Sequence, residues 1–111
     1  MKQKKYGCPA EITLRVIGGK WKLVILWHLL GGMKRFGELR RSIPEITQRM
    51  LTQQLRELEK DGVITRKVYA QVPPRVDYSI SELGNSLQPV MKSICQWGKK
   101  YETRVKARGT G

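Results

Sequence analysis

Side chains that commonly carry catalysis or bind metals are scarce in this sequence. Histidine occurs once, at His28, and cysteine twice, at Cys8 and Cys95, in a chain of 111 residues. Those three are too few and too far apart for a zinc site of ordinary ligand spacing, so no metal is expected. His28 has no acid close to it in sequence, and it fits a packed or partly exposed histidine better than a general base. No nucleophile motif, glycine-rich phosphate loop or paired-carboxylate pattern occurs. An enzyme is therefore not expected, and neither is a cofactor. No apolar run approaches the ~20 residues of a membrane span, and MKQKKYGCPAE lacks the apolar core of a secretion signal. The expectation is a cytoplasmic chain with no membrane partner, whose two cysteines are free thiols. Internal repeats and low-complexity segments are also missing.

Acidic residues are outnumbered. Nine Asp and Glu stand against 22 Lys and Arg, a formal charge of +13. Such a balance favours a polyanionic partner: nucleic acid first, an anionic membrane surface or an acidic protein after it. Charge alone does not separate DNA from RNA. The hydrophobic share of 40% suffices for one modest core and lies above the range of disordered chains.

One domain over 8–101 is expected, preceded by a flexible basic segment at 1–7 and followed by a basic, disordered tail at 102–111. Pro9 suits the first position of a short helix, with Ile12, Val16 and Ile17 on one stripe and Gly18-Gly19 as its stop. Lys20 to Leu30, KWKLVILWHLL, is apolar on nearly every face and predicts a buried helix ended by Gly31-Gly32, its tryptophans in the core. Met33 to Arg35 could pair as an edge strand. Phe36 to Ile43 predicts a two-turn helix with Phe36, Leu39 and Ile43 inward.

Then comes the most informative stretch. In IPEITQRMLTQQLRELEKDGVI, Leu51, Leu55 and Leu58 share a stripe, while Gln48, Arg49, Thr52, Gln53 and Arg56 fall on the other side. Thr47 can cap the helix and Asp61-Gly62 can end it. Alone, this is an ordinary amphipathic surface helix. Its short predecessor and tight connection give it the pattern of a helix-turn-helix. Val63 to Val72 and Arg75 to Ile80 then predict two strands around a Pro73-Pro74 tip, a basic hairpin in the place of a wing. Ser81 can cap a last long helix in which Leu83, Leu87, Val90, Ile94, Trp97 and Tyr101 alternate at four-three spacing, with Met91 and Cys95 beside them. Pro89 should kink that helix. So much apolar surface on a terminal helix suggests a dimer interface, shared with the Cys8 helix.

The ordered motifs Cys8-Pro9, Gly19-Lys20-Trp21, Phe36-Gly37-Glu38-Leu39, ITQRMLTQQLRELEKDG from Ile46 to Gly62, and PPRVDYSIS from Pro73 to Ser81 resemble the HxlR-type transcriptional regulators. These are winged-helix proteins related to the MarR group. Leu83-Gly84 and Trp97-Gly98 extend the likeness, which covers roughly 8–98. Asp77 stands where the family often has Glu, and Ser81 where Thr is common. The resemblance implies a mainly α protein with a small β-hairpin (α+β), a winged helix-turn-helix that is dimeric through its N- and C-terminal helices.

By that resemblance the protein is a homodimeric regulator, commonly a repressor, of double-stranded DNA carrying an imperfect palindrome. The DNA-binding residues would be Thr47, Gln48, Arg49, Thr52, Gln53, Arg56, Lys60, Arg66, Lys67 and Arg75. Of these, Gln48, Arg49, Thr52 and Gln53 would lie nearest the bases, Arg56 and Lys60 would be placed for phosphate, and Arg75 at the wing would reach the backbone or an adjacent minor groove. Ile12, Val16, Val90, Met91, Ile94, Trp97 and Tyr101 would line the dimer interface. Many members sense electrophiles or oxidants through a cysteine near the N-terminus, a position Cys8 matches. A helix-start thiol near Lys2, Lys4 and Lys5 has reason to be activated. An intersubunit Cys8–Cys95 disulfide is the specific form this suggests. The alternatives are a non-specific architectural protein of DNA or RNA, or a small-molecule-responsive regulator without thiol sensing, its effector held between helices near Trp21, Trp27 and Trp97.

Overall fold

A computed structural model describes residues 7–108. Residues 1–6 of the flexible segment expected at 1–7, and the last three residues, lie outside the described part. The order is α1 (Pro9–Ile17), α2 (Lys22–Leu29), β1 (Lys34–Arg35), α3 (Phe36–Ser42), α4 (Gln48–Lys60), β2 (Ile64–Tyr69), β3 (Arg75–Ile80), α5 (Glu82–Asn85) and α6 (Gln88–Ala107). The strands form one antiparallel sheet in the order β1-β3-β2. Lys34 pairs with Tyr78, and β2 pairs with β3 from Ile64 opposite Ile80 to Tyr69 opposite Arg75. This is an α+β winged helix-turn-helix.

The core is one cluster beneath α4. Leu51, Leu55 and Leu58 are buried there against Ile25, Leu26 and Leu29 of α2, Leu39 of α3, Ile43 and Ile46 of the α3–α4 connection, and Val63, Ile64 and Tyr78 of the sheet. Each fully buried leucine is worth on the order of 1.5–3 kcal/mol of apolar burial. These contacts determine which side of α4 faces solvent.

Local chemistry sets both ends of α4. The Met50 N–H donates to Thr47 Oγ1 at 3.0 Å, satisfying one of the donors left open at a helix start. At the other end Gly62 takes φ +79°, a conformation that disfavours a side chain, and the Val63 N–H returns to the Leu58 carbonyl at 3.1 Å. Ser81 then ties the end of β3 to this corner. Its hydroxyl donates to the Gly62 carbonyl at 2.6 Å and accepts from the Gly84 N–H at 3.0 Å. Gly84 itself lies so close to the Val63 carbonyl and to Ile80 that a Cβ could not be placed there without backbone movement.

Three expectations change. Instead of one kinked terminal helix there are two, because Ser81 caps only the single turn α5 and a new helix starts after Leu87. Pro89 falls in the first turn of α6, where a missing N–H breaks no helical bond. α6 also continues to Ala107, so residues 102–107 are helical rather than a disordered tail. Finally, α2 is not enclosed: Val24 is 37% and Trp27 50% exposed, leaving one side of this apolar helix bare.

Candidate nucleic-acid interface

The solvent side of α4 carries Gln48, Arg49, Gln53, Arg56 and Lys60, all exposed. Thr47, which caps the helix, is exposed just before it, and Thr52 is half-buried. Gln48, Arg49, Thr52, Gln53, Arg56 and Glu57 line one shallow concavity along the helix. A second hollow, between α4 and the hairpin, brings Arg56 and Glu59 together with Arg66 and Tyr78. Helix and hairpin thus form a continuous surface with guanidinium groups on both of its parts.

These side chains differ in how free they are. The Thr52 hydroxyl donates to the Gln48 carbonyl at 2.9 Å, turning back onto its own helix. Gln48 Oε1 accepts from Arg40 of α3 at 3.5 Å. Gln53 donates from Nε2 to Glu57 Oε2 at 3.2 Å. Glu57 Oε1 in turn receives Lys22 Nζ at 2.7 Å, and the Lys22 side chain is only 9% exposed. The hydrogen bond from Lys22, followed by that from Gln53, holds the Glu57 carboxyl below its ordinary titration range. Neither Lys22 nor Glu57 was singled out from the sequence. A lysine inside an apolar run was the available signal, since a lysine so enclosed calls for a partner.

The hairpin is organised by an ion pair. Arg75 grips Asp77 with two hydrogen bonds of 3.1 Å, from Nε and Nη2, while Arg35 lies 3.9 Å away. The Asp77 carboxylate is nearly enclosed, and its bonds from Arg75 keep its pKa below the usual aspartate value despite that burial. Arg75 also lies over the Tyr69 ring at 4.7 Å, with Lys67 on the same ring at 5.0 Å. A minor-groove contact by Arg75 would have to use the guanidinium N–H groups that Asp77 leaves unengaged. Arg66 and Lys67 are exposed on β2, and among the described residues neither has such a carboxylate clamp.

A different surface lies on the terminal helices. Ile12 and Leu14 of α1 are 45% and 65% exposed, and Ile94, Trp97 and Tyr101 of α6 are 45%, 65% and 57% exposed. Trp97 and Tyr101 stack with centroids 5.4 Å apart. Val90 is also exposed and Val16 half-buried. Met91 departs from the reading: it is buried in the chain's own core and lines an apolar groove with Leu23, Val24, Trp27, Ile94 and Cys95. Leu14 and Trp27 were missed as surface residues. Cys8 is exposed at the N-cap of α1, and Cys95 is exposed on α6. Among the described residues no cluster of three His, Cys, Asp or Glu side chains could hold a metal, and no helix is long and apolar enough to cross a membrane.

A short helix, a tight connection, a second helix with a polar outer face and a basic antiparallel hairpin define a winged helix-turn-helix protein. The chain belongs to the HxlR-like helix-turn-helix family, whose model matches residues 16–106. It is 60% identical over 99 residues to the uncharacterized HTH-type transcriptional regulator YdeP of Bacillus subtilis (strain 168), covering 89% of this chain and 77% of that one. The solved structure of the putative HTH-type transcriptional regulator ytcD is 57% identical, with a TM-score of 0.83 over 86% of this chain and 98% of that one. The redox regulator HypR in its reduced form is 51% identical, with a TM-score of 0.85 over 90% and 99% of the respective chains. HypR in its oxidised form is also similar, at a TM-score of 0.79. The protein is a helix-turn-helix transcriptional regulator and not an enzyme.

Proposed function

We propose that this protein binds double-stranded DNA sequence-specifically as a homodimer, represses transcription from a palindromic operator, and responds to oxidant or electrophile through Cys8. The observation that carries the DNA reading is the opposition of the two sides of α4. Leu51, Leu55 and Leu58 anchor its back, and Gln48, Arg49, Gln53 and Arg56 are presented together on its front. Arginine can bond guanine and glutamine can bond adenine in the major groove, each through two hydrogen bonds. Arg56, Lys60, Arg66 and Lys67 then meet phosphates and set register. Arg75 holds the wing in shape.

The dimer reading rests on Leu14, Ile94, Trp97 and Tyr101, large apolar side chains left bare on two helices. Apolar surface of this kind is unusual for a monomer and suits a second copy. Two-fold symmetry then spaces the half-sites by about one helical turn, ~34–36 Å, or a multiple of it. Thiol sensing is supported by the exposure of Cys8 and Cys95 and by the similarity to HypR, a redox regulator. Joining Cys8 of one protomer to Cys95 of the other would release two protons and two electrons to the oxidant. Mild oxidation should then give a dimer band on a non-reducing gel, and an unchanged monomer band would count against the bridge.

Selection from random duplex DNA, run with reduced and with oxidised protein, tests the whole reading. A palindrome with turn-spaced half-sites, bound differently in the two states, is expected. Enrichment of no sequence, or equal capture of duplex and RNA, would leave the charge of +13 serving non-specific binding instead.

A further inference from the structure

Within the polar face of α4, one side chain is oriented from below. Lys22 stands at the start of α2, almost enclosed, and its ammonium meets Glu57 at 2.7 Å. The other oxygen of Glu57 receives the amide nitrogen of Gln53 at 3.2 Å. A carboxylate accepts hydrogen bonds and cannot donate them. If the Gln53 amide turned over, its Oε1 would face the Glu57 oxygen, lone pairs against lone pairs. Glu57 therefore selects one of the two amide orientations, and Lys22 holds Glu57 in place. With one N–H given to Glu57, Gln53 keeps Oε1 and its second N–H. That is one acceptor and one donor, the pair an adenine edge requires at N6 and N7.

A carboxylate here also has a cost. Glu57 lines the same concavity as Arg49 and Arg56, where a DNA phosphate would meet a negative charge. Its tie to Lys22 lowers that cost, because the ammonium neutralises it from the protein side.

We propose that Lys22 and Glu57 are positioning residues for Gln53, fixing its amide so that one base pair in each half-site is read through it. The proposal rests on α4 being the helix that enters the major groove. Lys22 would thereby influence sequence preference from a position that DNA does not reach.

The test is to determine base preference, by selection from random duplexes and then by measured affinities, for wild type, Gln53→Ala, Glu57→Gln, Lys22→Met and Lys22→Arg. Gln53→Ala should lower discrimination by about tenfold at one base pair of the half-site. Glu57→Gln and Lys22→Met should lower it at that same base pair and leave the others unchanged, while Lys22→Arg retains it. In the Gln53→Ala background, Glu57→Gln should change nothing further at that position. The proposal is overturned if the Glu57 and Lys22 variants weaken all sequences equally, act at a different base pair or leave preference untouched. Glu57→Gln lies on a partly exposed helix face and preserves shape, so it decides the matter even if Lys22→Met fails to fold. A wild-type protein that enriches no sequence would instead remove the DNA reading itself, and this inference with it.

Discussion

The two exposed surfaces of this small protein are built on opposite principles. On α4 and the wing, polar side chains are braced by neighbours: Gln53 by Glu57, Glu57 by Lys22, Asp77 by Arg75, Thr47 by the turn it caps. α1 and α6, among their charged side chains, also expose large apolar ones, Ile12, Leu14, Ile94, Trp97 and Tyr101, and Trp97 stacks on Tyr101. Bracing preserves direction, which hydrogen bonding to another molecule depends on. Apolar surface needs only removal from water, which a complementary surface supplies without fixed geometry. The first surface suits recognition of a polar, charged ligand, and the second suits association with a second copy of the chain.

Substitutions that strike one surface and spare the other sharpen this contrast. The largest effect should come from the support of the polar one. Leu55→Ala removes a fully buried side chain behind α4 and should destabilise the fold by ~2–5 kcal/mol, read by denaturant unfolding. A cost well below that range would mean α4 is not anchored as described. Trp97→Asp, on the apolar surface, should leave the protomer folded and weaken dimerisation by ~2–4 kcal/mol, the scale of an interface hot spot. Sedimentation reads the change, and an unaltered dimer would place the interface elsewhere.

Arg49→Ala should cost ~1–3 kcal/mol on the preferred DNA and relax preference at one base pair, whereas Lys67→Ala should weaken all sequences alike and reduce the salt dependence. Equal losses on preferred and random DNA for both variants would erase the division between base and backbone contacts. The smallest effect concerns pH. The Asp77 pKa is lowered in the folded protein, so its contribution to stability is fully present above the ordinary aspartate value of about 3.9 and is lost as pH falls through the lowered one. Asp77→Asn should flatten that acid limb of the stability curve. An identical acid limb in the variant would show that the Arg75 pair contributes nothing to it.

Much of the fold was legible because it depends on near neighbours in the chain. The stripe of Leu51, Leu55 and Leu58, the Thr47 cap and the Gly62 stop are all local patterns, and the structure reproduces them. Pro89 was ambiguous, since one residue can kink a helix or begin one, and the choice depended on where α5 ended. Lys22 meeting Glu57 is a contact across the fold, and no periodicity encodes it. Arg75 and Asp77 are different: two residues apart on one strand, they share a face, so this pairing was there to be read. The exposure of Trp27 was hidden because an apolar helix looks the same whether its second side meets its own domain or another surface.

The DNA reading stands or falls on whether the front of α4 distinguishes DNA sequences. Its most direct test is the ratio of affinities of the reduced protein for its selected duplex and for random duplex of equal length, measured at one physiological salt concentration. A ratio of ~10³ or more is expected. A ratio near one, with the protein folded and dimeric, would contradict it.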